Sequence, residues 1–223
     1  MTAAVRTDRF PREIVGRILA LAAVMGIVGA LSLSPRAHAA FVAVVHAITP
    51  FVAAFPIWGA VIFAALAALS SMLVFFSSVL IVPIGVVAWG PIGCALLLWA
   101  GWFTGGVVSY TIGRRLGRPV VRHFVAPDRF ERYNRIIPRT APLSTAFLLQ
   151  LTLPSDVMGY VFGLAAYPRR KFYPALALAE LPYAIGTVYA GTAFLEQNAF
   201  VVMALGAAAI GVVVWEHRHG LAR

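Results

Sequence analysis

Two carboxylates in apolar surroundings are the residues with the clearest chemical potential. Asp156 follows Pro154 at a break in one long apolar stretch. Glu180 lies in a later apolar stretch, two residues before Pro182. Either carboxylate could bind a substrate or carry a proton, because ionisable residues at membrane depth commonly mark such pathways. Structural roles also stay open: Asp156 as a helix N-cap, and Glu180 as the partner of an arginine or of a freed backbone N–H.

Uncharged polar and basic residues near the same breaks form a second group of candidates. Gln150, Ser77 and Ser78 could contact a ligand or make helix–helix hydrogen bonds. Arg139 is the last arginine before the second apolar stretch, and Arg114 begins a basic segment. Arginine suits phosphate because its forked donors match phosphate oxygens. Anchoring at the interface and setting the topology are the alternative roles for both arginines.

The sequence carries no signature of an enzyme. It contains no nucleophile elbow, no P-loop and no His-Glu-x-x-His motif. Cys94 is the single cysteine, and no Cys/His cluster has zinc spacing. We therefore expect no catalysis, no cofactor and no metal.

The composition excludes most classes of soluble protein. Of 223 residues, 61% are hydrophobic and 12% are charged, whereas a soluble domain carries roughly 25% charged residues. The mean hydropathy is +0.87, and residues 37–113 contain no Asp, Glu, Lys or Arg. These values predict an integral membrane protein. The formal charge of +10 fits basic loops facing anionic headgroups, so we expect lipid partners rather than nucleic acid.

Charges and helix breakers divide the chain into crossing and non-crossing elements. The prediction is an all-α membrane protein with four spans and two opposed re-entrant hairpins. The spans are 18–33, 92–112, 172–194 and 199–215. The hairpins lie near 74–91 and 143–167, because Pro and Gly clusters break the apolar runs there. Residues 41–55 are expected to be too short to span, because Pro50 and Pro56 interrupt them.

Three regions follow from this topology. Residues 1–40 are a basic segment with a first helix, or alternatively a cleavable signal peptide. Residues 41–198 form the membrane domain, which includes an amphipathic, arginine-rich segment at 114–142. Residues 199–223 are a last span with a basic tail. Basic residues favour the cytoplasmic side, which places both termini in the cytoplasm.

The two halves of the membrane domain resemble each other weakly. The matching pairs are Gly90 and Gly163, Tyr110 and Tyr183, Ile112 and Ile185, Gly113 and Gly186, and Pro83 and Pro154. Inverted repeats with broken helices at the midplane are a transporter device. The sequence thus predicts an inverted repeat. The residues expected to shape hairpins and packing are Pro83, Gly90, Tyr110, Gly113, Pro154, Gly163, Pro182 and Gly191.

An ordered set of motifs carries a family resemblance over about residues 70–195. It comprises Pro83 through Gly90-Pro91, the Tyr-Thr-Ile-Gly-Arg-Arg-Leu-Gly-Arg run from Tyr110, Leu153-Pro154-Ser155-Asp156, Gly163-Leu164, Leu181-Pro182 and Tyr189-Ala190-Gly191. This set resembles the DedA-like proteins, which share the VTT or SNARE-associated domain. The resemblance implies two opposed re-entrant hairpins and lipid translocation.

The chain departs from the bacterial DedA pattern at two places. Residues 14–127 contain no Asp or Glu, whereas those members usually carry an acid at the first hairpin. Gln150 and Asp156 stand where two arginines six residues apart are usual. The Pro-x-Asp form resembles the Golgi/vacuolar-type branch more closely, which puts proton coupling in doubt.

Three functions remain open from the sequence. The leading hypothesis is a flippase- or scramblase-like transporter in the cell (inner) membrane that moves phospholipid or polyprenyl-phosphate headgroups. The alternatives are a proton-coupled transporter of small solutes and a non-transporting assembly protein. A homo-oligomer is compatible with each of them.

Overall fold

The computed structural model describes residues 34–73, 78–124, 142–152 and 155–198, together with 200, 204 and 211. For residues 79, 118–124, 152, 155 and 156 the description covers the backbone alone. The described part is helical and contains no strand, which confirms the predicted all-α class. Its α-helices are α1 (Pro35–Ala54), α2 (Pro56–Met72), α3 (Val82–Phe124), α4 (Leu143–Thr152), α5 (Ser155–Leu164) and α6 (Arg169–Leu195). A short 3-10 helix, Ser78–Leu80, precedes α3.

Helix α1 corrects the expectation that residues 41–55 are too short to span. The helix begins at Pro35, where the Ser34 side chain caps it by accepting from the Ala37 N–H at 3.4 Å. It then continues through Pro50, and the neighbouring Thr49 hydroxyl donates to the Val45 carbonyl at 2.8 Å. Such side-chain bonds help membrane helices to tolerate proline. Helix α1 also runs across the predicted region boundary at residue 40.

Within the part of the chain that the structure describes, two helices are long and apolar enough to cross a membrane. They are α1 and the Val82–Leu116 part of α3. The predicted span 92–112 lies inside α3, and 172–194 lies inside α6. The predicted span 18–33 lies outside the described residues, as does most of 199–215.

Helix α3 contains two glycine breaks. Gly90 has φ 69° and Gly117 has φ 68°, a left-handed conformation that only glycine adopts without strain. Gly90 directly precedes Pro91, so the first break falls within the predicted hairpin at 74–91. The second break interrupts the predicted amphipathic segment 114–142, of which 125–141 lie outside the described residues.

Helices α3 and α6 lie antiparallel along each other. The rings of Tyr110 and Phe172 stack with their centroids 4.6 Å apart near one end of the pair. At the other end, a Cβ added at Gly191 would meet Val82 Cγ1 at 2.7 Å. Helix α5 packs across the same part of α3 as the beginning of α6, and α4 packs against α6.

Glycines allow α3 to approach two different partners. A Cβ at Gly113 would overlap the backbone carbonyl of Tyr160 in α5, and one at Gly163 would overlap the carbonyl of Tyr110. On the other side, a Cβ at Gly101 would meet the Ala64 carbonyl of α2 at 2.6 Å. Glycines on two sides of α3 therefore bring the backbones of α2 and α5 into direct contact with it.

The positions paired by the proposed repeat have different surroundings. Gly113 is pressed against Tyr160, whereas a Cβ at its counterpart Gly186 would meet nothing within 4 Å. The inverted repeat stays a prediction.

Candidate functional site

Three buried side chains among the described residues have polar atoms without a hydrogen-bond partner: His38, Ser109 and Gln150. Gln150 lies on α4, which packs against α6. The Gln150 side chain is 2% exposed, and among the described residues neither its Nε2 nor its Oε1 has a hydrogen-bond partner. A buried polar atom without a partner costs free energy, commonly about 1–3 kcal/mol. The amide is therefore ready to donate to and accept from a polar group that enters this interface.

Glu180 lies at the same level of this interface. The Tyr183 hydroxyl donates to the Leu151 carbonyl, which brings the residue after Gln150 next to the helical turn that follows Glu180. Glu180 is 3% exposed and takes part in an interaction of its own. Gln150 and Glu180, two of the residues that the sequence singled out, are thus both buried on helices that pack against each other.

This level lies near the middle of the membrane-length part of α3. The Trp99 Nε1–H donates to the Ala177 carbonyl at 2.8 Å, one turn before Glu180. Trp99 is central in the Val82–Leu116 segment. A carboxyl group placed at that depth is costly and points to a function.

Asp156 is the second residue of α5, close after the break between α4 and α5. Its side chain lies outside the described residues, as do Pro154, Ser77 and the whole of Arg139. The predicted roles of these four residues stay predictions.

Trp102 positions the described part of the first predicted hairpin through hydrogen bonds, a role that the sequence did not predict. Its Nε1–H lies 3.2 Å from Ser70 Oγ and 3.1 Å from Ser78 Oγ. The Ser71 hydroxyl donates to the Trp102 carbonyl at 3.4 Å. Trp102 therefore ties the end of α2 to the 3-10 helix.

The second predicted hairpin region contacts the end of α2, just before the first predicted hairpin. The Tyr160 hydroxyl of α5 donates to the Met72 carbonyl at the end of α2, at 3.3 Å. Met72 is two residues before the predicted first hairpin at 74–91, and Tyr160 lies within the predicted second hairpin at 143–167.

Arg114 lies apart from Gln150 and Glu180, near the end of the α3–α6 pair where Tyr110 stacks on Phe172. Its Nη1 lies 3.1 Å from the Tyr110 hydroxyl and 3.5 Å from the Tyr167 carbonyl. The Tyr110 hydroxyl itself donates to the Tyr167 carbonyl at 2.5 Å. The i, i+4 spacing of Tyr110 and Arg114 was visible in the sequence. Tyr167 could not be found there, because it is 53 residues from Arg114.

An apolar groove of about 400 Å³ lies beside α1, α2 and the beginning of α3. Its lining consists of apolar side chains and one glycine: Ile48, Phe51, Val52, Phe55, Trp58, Gly59, Ile62, Phe63, Leu66, Ile81, Ile84 and Trp89. Because the lining is apolar apart from the indole N–H groups of its tryptophans, it suits apolar groups better than a charged headgroup.

The remaining predicted structural residues have varied positions. Pro83 is buried at the start of α3, and Pro182 is exposed on α6.

Within the described residues no group of three or more His, Cys, Asp or Glu could hold a metal ion. Cys94 is buried, and its Sγ lies 3.6 Å from the Val82 carbonyl.

Long apolar helices around a buried polar interface define an all-helical membrane protein. A family model for the VTT domain matches residues 75–193, which is more than half of the chain. The protein belongs to this family, the DedA/SNARE-associated Golgi family. Its members are membrane proteins of a transport-related kind. No curated protein and no solved structure gives a significant match to the chain.

Proposed function

We propose that the protein moves lipid headgroups across the cell (inner) membrane, as a flippase or scramblase does. The observation that carries the proposal is the Gln150 amide, buried without a partner at the level of Glu180. An apolar interior hydrogen-bonds its buried polar groups unless they serve another purpose. A phosphate or hydroxyl of a passing headgroup could accept from Nε2, and a headgroup hydroxyl could donate to Oε1.

The proposed path runs between the two broken regions at mid-depth. The hairpins near 74–91 and 143–167 enter from opposite sides in this proposal, and the Tyr160–Met72 contact supports their meeting. The headgroup passes Gln150, Glu180 and Asp156, while the acyl tails stay in the bilayer. Arg114 and Arg139 gather headgroups at the cytoplasmic mouth. The Pro-x-Asp form favours the Golgi/vacuolar-type branch of the family.

A proton-coupled transporter of small solutes is the second candidate. The buried carboxyl group of Glu180 favours it, because such groups form proton relays in pumps and transporters. The two candidates differ in whether lipid crosses the bilayer and in whether a pH gradient is needed.

The first test measures transbilayer movement of fluorescent phospholipids in proteoliposomes with an impermeant quencher. Fast movement without a gradient is expected for a scramblase, and movement only with a pH gradient for a proton-coupled flippase. No lipid movement by folded protein, together with gradient-driven solute uptake, would replace the proposal by the second candidate.

Gln150→Leu separates a functional amide from a structural one. The variant removes two unpartnered polar atoms, so we expect unchanged or higher thermal stability and lipid transfer slowed about tenfold or more. Leu148→Ala is the matched control, because Leu148 is exposed on the same helix. Lower stability with normal transfer in Gln150→Leu would assign the amide a structural role.

Asp156→Asn tests the carboxylate beside the helix break. It removes the charge and keeps the size, so the folded protein should persist while lipid transfer slows. Transfer at the wild-type rate by a folded Asp156→Asn protein would remove this residue from the mechanism.

A further inference from the structure

Two basic segments that are far apart in the chain meet beside Arg114, in the second half of α3. The Arg114 guanidinium contacts the Tyr167 carbonyl at 3.5 Å, and Arg169 follows Tyr167 by two residues. We call four exposed arginines that lie at or next to this contact along the chain the Arg114 cluster: Arg114, Arg115, Arg169 and Arg170. The sequence singled out Arg114 as a candidate site residue, but not Arg169 or Arg170.

The position of one guanidinium in the cluster is fixed. Arg114 Nη1 contacts Tyr110 and Tyr167, and its Cζ lies 6.0 Å from the centroid of the Tyr110 ring. Tyr110 is itself held by its stacking on Phe172. A guanidinium has five donors, so most of them stay available. A fixed fork binds an oxyanion with less loss of conformational freedom than a mobile side chain.

The charge of the cluster is not neutralised within the described part of the chain. No described carboxylate pairs with any of its four arginines. Helix α6 begins in the cluster at Arg169, and its N-cap Pro168 supplies no side-chain bond. The N-terminal end of a helix adds positive potential to the same place. The ligand that complements this charge is an anion.

The depth of the cluster indicates a lipid as the source of that anion. The Val82–Leu116 segment is 35 residues long, and its part after the Gly90 break, residues 91–116, is roughly 40 Å long as a helix. The hydrocarbon core of a bilayer is about 30 Å thick, and about 40–45 Å with its headgroups. Arg114 and Arg115 occupy the end of this segment, at the level of lipid phosphates.

We propose that the Arg114 cluster binds the phosphate group of an anionic membrane lipid. The proposal deepens the proposed function and rests on it, because the cluster would collect headgroups before they move toward Gln150. The excess positive charge favours anionic lipids over zwitterionic ones, and the guanidinium fork suits the phosphate group.

The test measures lipid binding directly rather than transport. Full-length protein in neutral detergent is titrated with short-chain phosphatidylglycerol and, separately, with short-chain phosphatidylcholine, and bound lipid is counted by native mass spectrometry. The Arg169→Gln/Arg170→Gln variant should bind phosphatidylglycerol about fivefold more weakly per arginine removed, about 25-fold in all. Binding should weaken further as salt is added.

Arg36→Gln is the matched control. Arg36 is exposed but lies near the opposite end of α6, since the neighbouring His38 ring is 5.2 Å from Phe194. Its variant should bind phosphatidylglycerol like the wild type. Arg114→Lys keeps the charge and loses the fork, and an affinity between those of the wild type and the double variant is expected.

Three results would overturn the proposal. The first is wild-type affinity in the folded double variant, and the second is equal binding of both lipids. The third is displacement of phosphatidylglycerol by an equal concentration of inorganic phosphate, which would make soluble phosphate the ligand. Proteoliposome transfer measured in parallel keeps the two proposals apart, because selective binding without transfer contradicts only the proposed function.

Discussion

Tyr110 joins α3 to Tyr167 and the beginning of α6 through both its hydroxyl and its ring. That hydroxyl donates to Tyr167 and receives a donor from Arg114, while the ring stacks on Phe172. Gln150 is the opposite case, a buried side chain whose polar atoms have no partner among the described residues. The contrast separates a residue that stabilises the fold from one available to a substrate.

Tyr110→Phe should lower the free energy of unfolding by about 1 kcal/mol. The change removes the hydroxyl and keeps the ring on Phe172, so the packing term remains. Denaturant unfolding in detergent measures the loss. Tyr173→Phe is the control, because the Tyr173 ring lies 5.9 Å from Tyr110 and no described hydrogen bond involves its hydroxyl. Equal stability of the two variants would contradict the role assigned to the Tyr110 hydroxyl.

Helix contacts through glycine decide how closely α3 and α5 approach. Gly113 and Gly163 face each other's helix, where a Cβ would overlap a backbone carbonyl. Backbone cannot rotate away as a side chain does, so the helices must separate. The two helices therefore depend on these positions more than on any single apolar side chain.

Gly163→Ala should cost roughly 1–3 kcal/mol of stability, as overpacking does. Gly186→Ala should be neutral or stabilising, because space is open there and alanine is a better helix former than glycine. Thermal unfolding of both variants in the same detergent measures the difference. Destabilisation of the Gly186 variant by as much as the Gly163 variant would contradict the packing argument.

Local signals in the sequence predicted the helices and their breaks better than they predicted the contacts between helices. The all-α class follows from composition, and the break at Gly90 follows from the Gly-Pro pair. Helix α1 was predicted too short, because a proline commonly ends a helix, whereas this helix continues through Pro50. The Trp102 contacts with Ser70 and Ser78 join residues up to 32 positions apart, and no local pattern encodes such pairs.

Described arginines lie near both ends of α6. Arg170 lies in the Arg114 cluster at the beginning of α6, whereas Arg36 lies beside the end of α6, next to His38 and Phe194. The helix has 27 residues, roughly 40 Å, which exceeds the hydrocarbon thickness of about 30 Å. Arg36 and Arg170 should therefore lie on opposite sides of the membrane.

Cysteine labelling in cells tests this arrangement. An impermeant thiol reagent should label Arg36→Cys in intact cells and Arg170→Cys only after the membrane is opened, because basic residues favour the cytoplasmic side. Cys94 is buried, so the unsubstituted protein should stay unlabelled under both conditions and serves as the control. Labelling of both variants from the same side would contradict the proposed topology. Labelling of Arg170→Cys in intact cells would also separate the Arg114 cluster from the cytoplasmic leaflet, where anionic lipids are attracted to basic segments.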